Sequence, residues 1–499
     1  MSSILLFNPR ASNHKPRIPN SVLQVAASIA AIHEWVIVDG NLETDPWKKI
    51  EAYLTTGKYK YFGCTVMPGP QLKQAIPFTK KIKQNYPDIT VIWGGYFASN
   101  QYMVNLNSGY VDYIVNGPGD NTFPQLINAI ENELPVDEIK NLIYKRGNEF
   151  IKTAKEELLD LDKLPDLPYD KLHSFYALDK YLGKTYLGKK TIAYHSSFGC
   201  PFTCSFCAVV PIYNARWKGK SALGVYNDIK LLKETHHADA IEFHDNNFFV
   251  SEKRTVEFAK LIEKENMVWW GEARIDTMDK YKDESLAAIR KAGCKMIFFG
   301  AETGNDEVLK KMDKGGTQTG AQILAFAERL KKFDIIPEYS FVLGIPGDNE
   351  EQVNKQIDED IAFIKKVKTI NPKTEIIIYT YSPVPTEGSD MYNQVLASGF
   401  KFPEILEDWI SPAWENFDLR KNPLTPWLKP YMIDKIKQFE TVLNGYYPTN
   451  SDIRLSPIKK IILKSLSTWR YKTSFYKLPK EISFLQRVWK YRQPETEGF

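Results

Sequence analysis

The chain has 499 residues, of which 43% are hydrophobic and 25% charged, with a net charge of +4; these are ordinary values for a globular protein of about two to four domains. A charge that small on a chain this long leaves no electrostatic footprint for nucleic acid, and no run approaches the ~18 apolar residues of a membrane span. Five cysteines, three of them clustered, argue against a secreted disulfide framework, and the N-terminus lacks the basic and apolar regions of a signal peptide, so the cytoplasm is the expected compartment.

Short apolar runs at residues 4–7, 35–38, 61–66, 90–93 and 113–115 read as strands. Between them lie segments of helical period, such as 71–84, where Leu72, Ala75, Ile76 and Ile82 share one face. The alternation predicts an α/β, doubly wound, Rossmann-like parallel sheet over residues 1–145, with its ligand site at the carboxyl ends of the strands. Glycine and proline gather at those ends, in Met67-Pro-Gly-Pro70, Gly94-Gly95 and Gly117-Pro-Gly119. Glycine there allows close backbone approach or positive φ, although the same residues serve as plain turns. The absence of G-x-G-x-x-G disfavours a dinucleotide. Residues 146–190 read as a connector crossing the surface between domains, with the Pro-Tyr-Asp run at 168–170 as a loop.

Six further strands are expected at 191–196, 240–243, 268–270, 296–299, 338–342 and 375–379, with helices such as 255–265 and 283–292 between them. They predict a partial (β/α)6 barrel over 191–400, with polar strand-end residues facing its C-terminal mouth. The first of these strands runs into Cys200-Pro-Phe-Thr-Cys204-Ser-Phe-Cys207. Three thiolates on one tight loop suit an iron–sulfur cluster. Zinc would need four ligands, and His195 or Cys294 is available as the fourth. The same mouth would gather His244, Asp245, Arg274, Glu302 and Gly344, each of which also reads as an ordinary solvated or structurally paired residue.

The C-x3-C-x2-C spacing, with Phe206 before the last cysteine, resembles the signature of the radical SAM superfamily. Cys64-Thr-Val-Met-Pro-Gly-Pro-Gln71, Val91-Ile-Trp-Gly-Gly-Tyr96 and Val111-Asp-Tyr-Ile-Val-Asn-Gly-Pro-Gly-Asp120 resemble the cobalamin-binding domain that precedes many radical SAM domains. The resemblance implies a [4Fe–4S] cluster on Cys200, Cys204 and Cys207, with its fourth iron open to S-adenosylmethionine. It places His244 and Asp245 at the methionine ammonium, Arg274 at the carboxylate, Glu302 at the ribose, and Gly344, Ile345 and Gly347 against the adenine, with Phe206 beside the cluster. Cobalamin would lie against Thr65, Met67, Gly69, Gln71, Gly94, Gly95, Gly117, Gly119 and Asp120. None of the seven histidines has an aspartate two residues before it, so the Asp-x-His-x-x-Gly of the methionine-synthase type is missing. Cobalamin is therefore expected base-off, without a histidine on cobalt.

The chemistry implied is reductive cleavage of S-adenosylmethionine to a 5′-deoxyadenosyl radical, then methylation of an unactivated carbon, less often phosphorus, in a small molecule or lipid. An electron donor such as flavodoxin or ferredoxin is implied, and no acid–base dyad is essential, because the cofactors carry the hard chemistry. A cobalamin-dependent radical cyclase or rearrangement enzyme is the alternative within that class. A cobalamin-binding sensor is the alternative outside it, and its mark would be absence of reductant-dependent 5′-deoxyadenosine.

The C-terminal region, 401–499, is expected to be largely helical and basic. Residues 451–499 carry 11 Lys and Arg against 4 Asp and Glu. Ile458, Ile461, Ile462, Leu466 and Trp469 fall at helical spacing, and Ile482, Leu485 and Trp489 repeat the pattern. Such stripes usually face a core, so the first expectation is a helix docked by that stripe on the barrel mouth. The other is peripheral contact with a membrane.

Overall fold

A computed structural model describes every residue except 1, 12–15, 315–317, 388, 415–423, 452, 454 and 492–499. The first sheet contains β1 (Ser3–Asn8), β2 (Glu34–Asp39), β3 (Tyr59–Thr65), β4 (Thr90–Gly94), β5 (Tyr113–Val115), β6 (Leu142–Arg146) and β7 (Glu149–Lys152). Their order is β2-β1-β3-β4-β5-β6-β7, and β1 to β5 pair in parallel. Helices cover both faces, so the central strands are buried throughout. On β1, Ile4 and Leu6 pack with Leu23, Ala26, Phe123 and Leu126, while Leu5 and Phe7 pack on the other side with Ile50, Leu72 and Ile76. β6 and β7 form an antiparallel hairpin that carries the sheet to Lys152, past residue 145. Its sequence signal is the two-residue Gly147-Asn148 turn.

The second sheet begins with β8 (Thr191–Tyr194) and is followed by a short antiparallel pair, β9 (Ser197–Gly199) and β10 (Trp217–Gly219). It continues with β11 (Ala240–Phe243), β12 (Val268–Ala273), β13 (Cys294–Glu302), β14 (Ile336–Leu343) and β15 (Glu375–Thr380). The order is β15-β14-β13-β12-β11-β8, parallel throughout. The edges β8 and β15 do not pair with each other, which makes the expected partial barrel, open along one seam.

Only the first part of the connector is a surface crossing: apart from Leu161, residues 153–168 run exposed or half-buried with little regular structure, and the chain then turns inward. Pro168 starts a helix, Tyr169–Phe175, because its fixed φ suits a first turn and Tyr169 and Leu172 make a buried i, i+3 face. The Tyr181 hydroxyl donates to Asp39 Oδ2 at 2.8 Å and that of Tyr176 to Glu43 Oε1 at 2.7 Å, which ties the segment to the first sheet. Direct contacts join the two sheets as well. Asn20 Nδ2 donates to the Ala193 carbonyl at 2.9 Å, Tyr96 to Asn246 Oδ1 at 2.8 Å and Asn100 Nδ2 to the Ala208 carbonyl at 3.1 Å.

The C-terminal helices are Pro430–Tyr446, Pro457–Thr473 and Lys480–Val488. The first buries Met432, Ile436, Phe439, Val442 and Leu443. The second turns Leu463, Ser467, Arg470 and Tyr471 inward and leaves Ile458, Ile461, Ile462, Leu466 and Trp469 exposed. The expectation that this stripe docks on the barrel is therefore reversed. A polar network holds the helix instead: Arg470 binds Glu481 and the carbonyls of Lys477 and Leu478. Gly445 lets Ser467 approach to where a Cβ would stand 2.1 Å from its Oγ. Among the described residues no helix is long and apolar enough to cross a membrane.

Candidate active site

The cysteine loop leaves β9 and ends at the short helix Val210–Tyr213. It is pinned from below: Ser205 N donates to the Met312 carbonyl at 3.0 Å, and Thr386 Oγ1 to the Ser205 carbonyl at 2.6 Å. Cys200, Cys204 and Cys207 all line one cavity. Burial pushes the Cys200 thiol up to about 11 and that of Cys207 to about 12, and the neighbouring thiols add repulsion. Three soft donors, one buried and two half-buried, whose ionisation a neighbouring cation would favour are a donor set that fits an iron–sulfur cluster. Among the described residues no three His, Cys, Asp or Glu side chains converge as ligands of a single ion do. Cys294 is fully buried at the start of β13 and is not part of the cavity lining. His195 does line it; burial first, and then the nearby His244, hold its imidazole down to about 4.

The strand ends around the loop arrive with their charges already paired. Arg274 presents Nε and Nη2 to Asp276 at 2.9 and 2.8 Å, which leaves Nη1 at 3.0 Å from Cys204 Sγ. Its guanidinium lies 3.9 Å over the Phe202 ring. Glu302 sits at a register shift between β13 and β14 in the left-handed region, φ 65°. Its Oε1 accepts from the buried Lys314 at 2.7 Å, a partner that no motif marks in the sequence. His244 Nε2 lies 3.5 Å from Glu242 Oε2, which also pairs with Arg17 of the first domain. Burial alone would raise Glu242, yet His244 and Arg17 hold its carboxyl down to about 2. Phe206 lines the cavity.

Four of the residues expected at the barrel mouth are placed elsewhere. Asp245 is fully buried, and its carboxylate accepts from Ser196 N at 3.0 Å, Ser196 Oγ at 2.8 Å and Ser197 Oγ; it fixes the start of the cysteine loop and has no free edge toward the cavity. Gly344, Ile345 and Gly347 are outside the lining, because Trp427 Nε1 donates to the Gly344 carbonyl at 2.9 Å and Leu428 packs over the same residue.

The first domain supplies the opposite wall of the same cavity. Thr65, Met67, Gln71, Gly94, Gly95, Gly117, Gly119 and Asp120 all line it, and Gly69 does not; Gly69 instead caps the helix start, accepting from Leu72 N at 3.1 Å. Gln71 pins its own loop, accepting from Met67 N at 2.7 Å and donating to the Pro9 carbonyl at 3.2 Å. At Gly95 φ is +90° and a Cβ would stand 2.8 Å from the Val66 carbonyl, so only glycine fits. Asn20 and Asn100 line the wall too and carry no motif. Each spends its Nδ2 on the barrel, and each leaves Oδ1 buried with no partner among the described residues, as does Asp120 Oδ1. Burial raises the Asp120 carboxyl to about 6, with Gln24 beside it opposing. Beyond these groups the cavity runs into an apolar recess lined by Leu6, Gly63, Ile92, Val25, Val115 and Phe123.

The cavity measures about 1860 Å³, against ~300–1,000 Å³ for a site that takes one drug-sized ligand. Its two walls come from two domains with different chemistry, and it has room for several partners at once.

Known proteins agree with this geometry. Residues 194–359 match the profile of the Radical SAM superfamily. An uncharacterised methyltransferase of Pyrococcus horikoshii is 25% identical over 353 residues, 70% of this chain and 73% of that protein. An anaerobic magnesium-protoporphyrin IX monomethyl ester cyclase of Rubrivivax gelatinosus is 24% identical over 408 residues, 80% of this chain and 67% of that one. Among solved structures, the radical S-adenosylmethionine methyltransferase TsrM of Kitasatospora setae, determined with cobalamin and a [4Fe–4S] cluster bound, superimposes with a TM-score of 0.67 at 15% identity, covering 98% of this chain and 99% of TsrM. Residues 194–359 thus match the Radical SAM superfamily, within a chain whose overall fold is similar to that of TsrM.

Proposed function

We propose that this chain is a cobalamin-dependent radical SAM enzyme that methylates an unactivated carbon, less often phosphorus, of a small molecule or lipid. The observation that carries the reading is the single cavity shared by the three-cysteine loop and the glycine-lined strand ends of the first domain. When bound, the cluster and cobalamin supply the one-electron cleavage of S-adenosylmethionine and a transferable methyl group. The rest falls to the chain, whose work is positioning and water exclusion.

Cys200, Cys204 and Cys207 would hold the cluster. Arg274, locked by Asp276, keeps a fixed cationic edge for the methionine carboxylate, and His244 with Glu242 offers acceptors to the ammonium. Glu302, steadied by Lys314, accepts from the ribose hydroxyls, and Phe206 closes the side of the loop. On the other wall Asn20, Asn100 and Asp120 present acceptors, and a buried acceptor left without a donor costs about 1–3 kcal/mol. The carboxamide N–H groups around a corrin are donors of the kind those oxygens lack. The apolar recess behind them would suit the nucleotide tail of base-off cobalamin, and the loop carrying Met67 would help to hold the cofactor. Cobalt would be held without a histidine, since none of the seven histidines stands in an Asp-x-His-x-x-Gly motif. An electron donor such as flavodoxin or ferredoxin, a cytoplasmic setting and peripheral membrane contact through the tail complete the reading.

Anaerobic reconstitution with cobalamin, S-adenosylmethionine and a reductant tests it, with mass spectrometry of extracts for a gain of one methyl group. The relative named as a cyclase favours one second reading, radical cyclisation without methyl transfer. Its outcome would be 5′-deoxyadenosine together with a product that has gained no methyl. Absence of reductant-dependent 5′-deoxyadenosine would sink both and leave a cobalamin sensor.

A further inference from the structure

We propose that the two last C-terminal helices form a docking face for an anionic lipid bilayer. Single exposed apolar residues are normal, but a contiguous group marks an interaction surface. Here Ile458 is 70% exposed, Ile461 65% and Trp469 51%, and Phe475 and Leu478 after the helix and Phe484 on the next one are exposed as well. Trp469 and Phe475 stack with ring centroids 5.6 Å apart, so the aromatic part of the patch is already assembled. The face is not a core surface that failed to dock, because the opposite side of the helix is fully engaged through Arg470, Ser467 and Leu463.

Charge selects the occupant. Residues 457–490 carry nine Lys and Arg and one acid, Glu481, and Glu481 is spent on Arg470. A second copy of this face would bring like charges together, whereas the negative potential of an anionic leaflet attracts juxtaposed lysines and arginines. Apolar residues flanked by basic ones, with Trp among them, is the pattern of a helix lying in a membrane interface. The location adds a function. Arg487 of the last helix and Lys490 just after it line the large cavity, with Ile436 and Lys437 of the preceding helix Pro430–Tyr446 and Ile453 of the loop that follows it. Docked on a bilayer, the protein would hold that part of the cavity wall near the lipid, where an amphiphilic substrate could enter without crossing bulk water. The face stands apart from the active-site reading, since it needs no cofactor to bind lipid.

The test is co-sedimentation of the full chain, without cofactors, with vesicles of phosphatidylcholine alone or with phosphatidylglycerol. Ile461→Asp/Trp469→Asp removes the apolar patch, and Lys472→Glu/Lys477→Glu/Lys480→Glu inverts the charge. All five side chains are exposed, so circular dichroism and melting temperature should stay unchanged in both variants. The expected result is binding to the anionic vesicles that drops about tenfold or more on neutral vesicles, in high salt and in either variant. Equal binding to neutral and anionic vesicles, or none to either, overturns the proposal. Concentration-dependent self-association in ultracentrifugation, abolished by the first variant while vesicles are ignored, would overturn it in favour of a second copy.

Discussion

The two walls of the cavity solve the problem of burying polar groups in opposite ways. On the barrel wall three charges are met by another: Arg274 by Asp276, Glu302 by Lys314, and Glu242 by Arg17 of the first domain. On the wall of the first domain Asn20, Asn100 and Asp120 keep acceptors with no partner among the described residues. A barrel built this way is preorganised, its fields fixed before any ligand arrives. The other wall keeps buried acceptors in reserve, and on the proposed reading a ligand's donors would satisfy them.

The sharpest break in that comparison is at the cysteines. Alanine at Cys200, Cys204 or Cys207 should abolish iron–sulfur absorbance and reductive cleavage of S-adenosylmethionine, while Cys64→Ala and Cys294→Ala keep both. Loss of the cluster in a folded Cys294→Ala protein would refute the three-ligand site. Next in size is Asp276→Ala. It leaves Arg274 buried without its partner, which costs about 3–5 kcal/mol, readable as a lower midpoint in urea.

Gly94→Val probes the other wall. A Cβ there meets nothing closer than the Val115 carbonyl at 3.8 Å, so the fold should accept it. The added methyls intrude on the cavity and should weaken cobalamin retention by up to about 100-fold, the upper range for overpacking, at unchanged melting temperature. Equal retention would show that the corrin does not lie against β4.

Asp120 should impose a pH dependence. Burial raises its carboxyl from 3.8 to about 6. In the cofactor-free protein its contribution to stability is therefore present below the unfolded value and is lost as pH rises through about 6. N–H donors from a ligand favour the ionised form and pull the value back down, so binding releases a proton below pH 6. Cobalamin affinity should then rise about tenfold between roughly pH 5 and 7 and level off above, and Asp120→Asn should flatten the profile. The smallest effect is expected for Asn100→Ala. It removes one hydrogen bond to the barrel, about 1 kcal/mol, because the other half of that amide had no partner to lose. A cost as large as that of Asp276→Ala would erase the contrast between the walls.

What could be read from the residues follows from how local each signal is. The cysteine loop is contiguous, and parallel strands covered on both faces appear as plain apolar runs, so the loop and both sheets were legible. Asn20 and Asn100 were not, because their partners, Ala193 and Ala208, lie 173 and 108 residues away along the chain, and one asparagine looks like any other. Arg17 and Lys314 were hidden for the same reason. Asp245 was expected at a ligand because it ends a strand at the mouth, yet two serines of the following loop had a prior claim on it. In the tail, the helical period correctly picked out the apolar stripe but not its direction. Direction was decided by Arg470 and its carbonyl partners, which hydrophobic spacing does not record.

The unpaired seam between β8 and β15 has a consequence for the chain as a set of parts. An open sheet has two edges, and exposed edges invite pairing with other chains. Here each is screened by a neighbour. Asn20 of the first domain caps the Ala193 carbonyl on β8, and Glu375 at the start of β15 takes Asn450 N and Ser451 Oγ from the C-terminal region. One continuous core also joins Ile4 and Leu23 to Ile241 and Phe243 and on to Phe439. The segment that matches the superfamily profile is therefore not a unit of folding by itself. Excised at residues 191–400 it would expose both edges and a raw face of core, so a transplant between enzymes of this kind has to carry both flanks along.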